Sequence, residues 1–119
     1  EILSYEGSVI ADSLLSEGYP DNWDENNVIR IGILNGNKVN QTKLDRLYNL
    51  NSTDYQKTRA LLNTKYHYFF NFSQPMTITS EGIVEGIGYA PKDADNLVKI
   101  TRATTYEDKT VTLNLLIWE

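Results

Sequence analysis

The sequence predicts an α+β domain, with helices in its first half and an antiparallel sheet in its second. Three observations carry this. Leu3, Ile10 and Leu14 recur at helical spacing between residues 2 and 17. KYHYFFNFS, residues 65–73, alternates with the period of a strand. NLVKITRATTYEDKTVTLNLLIW, residues 96–118, reads as one long hairpin. Helices first and strands after is the order of an α+β fold, here an N-terminal helix and two short helices packed on one face of the sheet.

The first helix spans 2–17, with Ile2 and Val9 beside its apolar stripe and Gly7 as an unfavourable interior residue. Gly18 sits where a C-terminal cap belongs, and Pro20 prevents continuation. DNWDENN (21–27) is an acidic turn, VIRIGIL (28–34) an apolar run of strand type, and Asn35-Gly36-Asn37 a turn. A second helix covers about 40–49 and buries Leu44 and Leu47. A third opens at Thr53, with Gln56 as its capping-box partner, and runs to Asn63 over Tyr55, Leu61 and Leu62.

In the strand half, Tyr66, Tyr68, Phe70 and Phe72 share one face, with His67, Phe69 and Asn71 on the other. MTIT and GIVEGIGYA form two shorter strands around Ser80-Glu81-Gly82, and APKDADN is a loop. The hairpin pairs 97–106 with 110–118 around Glu107-Asp108-Lys109. Val111, Leu113, Leu115 and Ile117 line its buried face. Leu116 and Trp118 point the other way, which predicts an exposed apolar pair of the kind that marks an assembly surface.

A length of 119 residues suits one domain with one modest core. With 40% hydrophobic and 23% charged residues, disorder is not expected. The net charge of −5 disfavours nucleic acid and anionic lipid, both of which need concentrated Lys and Arg. With no cysteine there is no disulfide, thiolate metal site or cysteine nucleophile. No apolar run reaches the roughly 18 residues of a membrane helix; the longest, Leu113 to Trp118, is interrupted by Asn114.

Candidate chemistry is sparse. His67, the single histidine, has no second histidine or cysteine to share a metal with. The serines sit in no GxSxG or SxxK context, and no acid, base and nucleophile set can be assembled, so no enzyme is expected. Gly82, Gly86 and Gly88 resemble a phosphate loop only superficially. The P-loop lysine is missing, and strand glycines more simply mark bulges or close approach. Asp21, Asp24 and Glu25, and separately Asp93 and Asp95, are weak calcium candidates without the EF-hand pattern, and no metal or other cofactor is expected. Asn40, Asn51 and Asn71 open N-glycosylation sequons. Tyr19 and Trp23, bulky residues in a loop, read either as exposed ligand platforms or as plugs at the helix end.

LLSEGYPDNW, NVIRIGIL, VNQTKLDRL and DYQKTRALLNTKYHYFF, with the ending YAPKDADNLVKITRATTYEDKTVTLNLLIW, resemble archaeal surface proteins with type IV pilin-like (class III) signal peptides. The likeness runs from about Ala11 to Trp118 through Gly18, Pro20, Trp23, Gly32, Lys43, Leu44, Arg102, Tyr106 and Trp118. None of these has an assigned chemical role. The Glu107-Asp108-Lys109 turn departs from the pattern, which often has glycine there.

The resemblance implies a pilin-like head domain whose helix at 1–17 continues a missing anchor helix of roughly 20 residues. It implies a cell-surface, membrane-anchored, non-enzymatic protein acting in filament assembly or adhesion. Its partners would be other pilin-like subunits or itself, with the membrane met only through the missing anchor. Gly18, Tyr19, Pro20 and Trp23 would be the helix stop and core plug. The alternative is a secreted cation- or glycan-binding module using the acidic and aromatic loops.

Overall fold

In a computed structural model that describes residues 2–119, the frame is the C-terminal hairpin. Three helices and eight strands follow one another along the chain. They are α1 (Ile2–Leu14), β1 (Leu34–Asn35), β2 (Lys38–Val39), α2 (Gln41–Thr53), α3 (Tyr55–Leu61), β3 (His67–Phe72), β4 (Met76–Ile78), β5 (Gly82–Val84), β6 (Ile87–Gly88), β7 (Leu97–Tyr106) and β8 (Lys109–Trp118). The main sheet is antiparallel in the order β6-β3-β8-β7; β1–β2 and β4–β5 are separate two-stranded hairpins. The α+β class is therefore as expected.

Alternation sets the faces of the sheet. Tyr68, Phe70 and Phe72 of β3 lie opposite Ile117, Leu115 and Leu113 of β8, all buried on an inner face. The outer face carries the rows His67–Trp118–Leu97, Phe69–Leu116–Lys99 and Asn71–Asn114–Thr101. The β7–β8 turn has only two residues, Glu107 and Asp108, with φ of 52° and 63°. Positive φ at both central positions suits the right-handed twist of a hairpin, and Asp at the second is among the non-glycine residues that tolerate it. The second strand thus starts at Lys109, one residue earlier than expected.

Helix α1 lies on the inner face of β7 and β8. Gly7 explains its own presence there: a Cβ would stand 2.8 Å from Ile100 Cγ1 and 3.2 Å from Ile117 Cγ2. The helical cost of glycine is offset by close approach of the helix to the sheet. Leu3, Ile10, Ala11 and Leu14 complete the inward stripe. Ile2 and Val9, expected beside that stripe, are instead 67% and 45% exposed.

Several boundaries differ from the sequence reading; α2, expected over about 40–49, runs to Thr53. Helix α1 stops at Leu14, not at residue 17, because Ser16 turns back to bond Ser13 O through both its amide and its hydroxyl. Segment 28–34 is not a strand. Only Leu34 enters a ladder, and Arg30 makes a lone bridge to Tyr19. Its amides go to loop and helix-end carbonyls: Ile33 N donates to Leu14 O and Leu34 N to Ser16 O. The α3 cap is Asp54, whose carboxylate accepts from Lys57 N, while Gln56 bonds Arg59 and does not form a capping box with Thr53. That helix ends at Leu61 and buries Thr58 more fully than Leu61. One continuous apolar cluster joins all three helices to the sheet, and the 13.1 Å radius of gyration is what one folded unit of this length requires.

Candidate functional site

The loop that joins α1 to α2, residues 15–40, holds most of the residues singled out from sequence. Gly18 has φ +73°, and a Cβ there would lie 2.7 Å from Arg30 O and 2.8 Å from Trp23 Cδ1. Gly32 packs against the Gly18 amide and Ser16 so tightly that no side chain fits. The Tyr19 amide donates to Arg30 O, and Tyr19 O accepts from Ile29 and Arg30. Two glycines and a turn that includes Pro20 therefore bring two chain segments into backbone contact.

Trp23 is fully buried, and its indole N–H donates to Gly32 O at 2.8 Å. The core-plug expectation holds for Trp23. It fails for Tyr19, whose ring is 53% exposed because its backbone, not its side chain, makes the contact. Burial also removes Trp23 as a sugar-stacking platform.

Three cations from α2 and α3 fix the loop by its carbonyls. Lys43, only 4% exposed, donates from Nζ to Glu17 O at 2.8 Å and Leu34 O at 2.7 Å. Arg46 Nη1 donates to Trp23 O, and Lys57 Nζ to Glu25 O. Apart from Leu34 O, at the start of β1, these carbonyls belong to irregular backbone, and a buried one needs a donor.

The acidic candidates are spread out. Asp24 Oδ1 accepts from the amides of Asn26 and Asn27, which closes an Asx turn, and Glu25 accepts from Asn49 Nδ2. Asp21 lies exposed at the loop's rim. Asp93, at φ 54°, and Asp95 sit on a loop tied to the C-terminus by Asp95 N and Asn96 N to Glu119 O. Among the described residues no three of His, Asp and Glu converge as metal ligands would.

All three sequon asparagines have structural work. Asn40 caps α2 through Lys43 N, Asn51 Oδ1 accepts from the Tyr68 hydroxyl at 2.6 Å, and Asn71 Oδ1 accepts from Asn114 Nδ2 at 3.3 Å.

Arg102 reaches Asp12 of α1 at 3.7 Å, and the Tyr106 hydroxyl accepts from Thr77 N. These two residues tie β7 to α1 and to β4.

A second cluster gathers the aromatics. Tyr55 and Tyr89 stack with centroids 4.3 Å apart and planes 4° apart; His67 lies 5.4 Å from Tyr89 and 4.6 Å from Trp118. Trp118 donates its indole N–H to Tyr89 O at 2.8 Å. It is only 8% exposed, so the expected exposed pair Leu116–Trp118 does not exist: Trp118 is covered, and Leu116 is half-buried. Nothing local to residues 116–118 signals this, because the cover comes from His67 of β3 and from Tyr89, which follows β6.

The Tyr55 hydroxyl accepts the Tyr68 amide at 3.2 Å and lies 3.1 Å from His67 Nδ1. A phenol that donates to Nδ1 goes with the neutral ring bearing hydrogen on Nε2, and one that accepts from Nδ1–H takes both bonds on its two lone pairs. Burial, aided by the Arg59 charge, lowers the His67 pKa. Burial raises those of Tyr55 and Tyr68. Arg59 sits over the Tyr55 ring at 5.6 Å and donates to Lys65 O. The geometry of this corner is that of a packed aromatic seam. Comparison with protein families, curated proteins and solved structures finds no match for this chain.

Proposed function

We propose that this chain is the head domain of a membrane-anchored, pilin-like cell-surface protein that acts in filament assembly or adhesion and performs no catalysis. The observation that carries this reading is the two-sided character of α1. One side packs on the sheet through Leu3, Gly7, Ile10, Ala11 and Leu14. On the other, Ile2, Tyr5 and Val9 form a stripe at spacings of three and four, exposed by 67%, 72% and 45%. A helix that only covers a core needs one apolar face. A second apolar face suits a helix that meets other subunits.

No helix among the described residues is long and apolar enough to cross a membrane. The proposal therefore places the anchor upstream of α1, as an apolar extension of the same helix. The rod would then end with α1 at Leu14, and Gly18, Pro20 and Trp23 would form the turn that leads from it into the head.

The mass and N-terminal sequence of the native protein, taken from membrane and surface fractions, test this. An apolar stretch of about 20 residues before Glu1, trimmed behind a short basic leader, is the expected result. A freely soluble native chain beginning near Glu1 would overturn it.

A further inference from the structure

The outer face of the main sheet carries a feature that the anchor proposal leaves unused. Asn114 interrupts an otherwise apolar strand ending, and register sets it beside Asn71. The two side chains bond to each other, Asn114 Nδ2 to Asn71 Oδ1 at 3.3 Å. That bond uses a donor of Asn114 and the acceptor of Asn71, and leaves Asn71 Nδ2 as a donor and Asn114 Oδ1 as an acceptor with no side-chain partner among the described residues.

One row away lie Phe69 and Leu116, both half-buried, and beyond them the exposed Lys99. These five residues enclose a cleft of about 230 Å³. Lys99 has no ion-pair partner among the described residues, in a chain whose net charge is −5.

We propose that this cleft is a binding subsite for an acidic sugar, one ring of a uronic-acid-type glycan. Each part of such a ring meets a matching group. A sugar's C–H face needs an apolar ledge, which Phe69 and Leu116 supply. Its vicinal hydroxyls each donate and accept, and match the donor–acceptor pair of Asn71 and Asn114. Its carboxylate needs a cation, and Lys99 is the charged group of the cleft. Strand β8 is paired on both sides at this point, by β3 and β7. The cleft therefore offers no free strand edge, and a peptide cannot add to the sheet there.

The subsite does not depend on an upstream anchor. It also differs from a site in the acidic loops, since none of its residues belongs to them.

Titration of the 119-residue chain with sodium glucuronate and with glucose, followed by backbone amide NMR, tests it. Glucuronate is expected to move the signals of Phe69, Asn71, Lys99, Asn114 and Leu116 saturably, with glucose about tenfold weaker. Lys99→Gln, at an exposed position, should bring glucuronate to the level of glucose. Asn114→Leu should weaken both. The proposal is overturned by the absence of movement, by movement centred elsewhere, by equal response to the two sugars, or by an unchanged response in Lys99→Gln. Movement produced by polyglutamate and not by glucuronate also overturns it, in favour of an acidic peptide.

Discussion

Two loops that each carry an acidic stretch, 15–34 with DNWDENN and 90–96 with KDADN, have opposite fates. Both are rich in Asp and Asn, and both read as candidate cation sites. The first is fixed from inside. Trp23 anchors it in the core, Gly18 and Gly32 let its two arms touch, and Lys43, Arg46 and Lys57 take up its carbonyls. The second is held by backbone bonds between Asp95, Asn96 and Glu119. Polar composition therefore does not distinguish a structural loop from a surface one. What distinguishes them is whether buried donors reach the backbone of the loop.

The largest break in this contrast is Trp23→Ala. It empties a fully buried indole site and orphans Gly32 O, so a loss of about 3–5 kcal/mol is expected in urea unfolding. Retention of wild-type stability would mean that the loop is not built on Trp23.

Lys43→Met keeps much of the stem's volume but strips Glu17 O and Leu34 O of their donor. It should cost about 2 kcal/mol by the same measurement. Asp93→Asn with Asp95→Asn, the counterpart in the other loop, should stay within about 0.5 kcal/mol. Equal costs for the two loops would erase the difference between them.

The smallest effect is titration at the aromatic corner. The His67 pKa is lowered in the fold, so below the ordinary value of about 6.5 the unfolded chain binds the proton more readily. This contribution is complete above that value and is lost as pH falls through it toward the folded pKa. The melting temperature of the wild type should drop more than that of His67→Gln between about pH 7.5 and 5. Parallel pH curves would show that the ring's environment does not favour its neutral form.

The strands were the most legible part of the sequence. In β3 and β8 a period of two declares both the element and its buried face, because the information is local to each strand. VIRIGIL reads as a strand although it is not one, because apolar content alone cannot reveal whether backbone partners are a neighbouring strand or a turn. Here they are Tyr19 and the end of α1. Thr53 and Asp54 both satisfy the chemistry of a cap, and only the geometry, with Asp54 bonding Lys57 N, decides between them.

Of the functional candidates, Trp23 as plug is one of two readings that the loop's residues leave open, and only the family resemblance favours it. The cover over Trp118 is not legible, since it needs Tyr89 and His67 to arrive from distant positions. Lys43 also gives no local signal of burial. Its partners, Glu17 O and Leu34 O, are backbone atoms of a loop whose path the sequence does not declare.

The Tyr55 hydroxyl has a consequence for how copies of this protein can meet. β6 is two residues long and leaves much of β3 without a neighbouring strand, yet the Tyr68 amide is already occupied by a phenol from α3. A side chain has taken the place that a visiting strand would need, as Tyr89 N has taken Tyr68 O. That margin is closed to strand addition, which guards an aromatic-rich segment against edge-to-edge aggregation. An ordered polymer of this domain therefore cannot form by prolonging the sheet beyond β3 at Tyr68; the opposite edge of the sheet, β7, is not closed in this way.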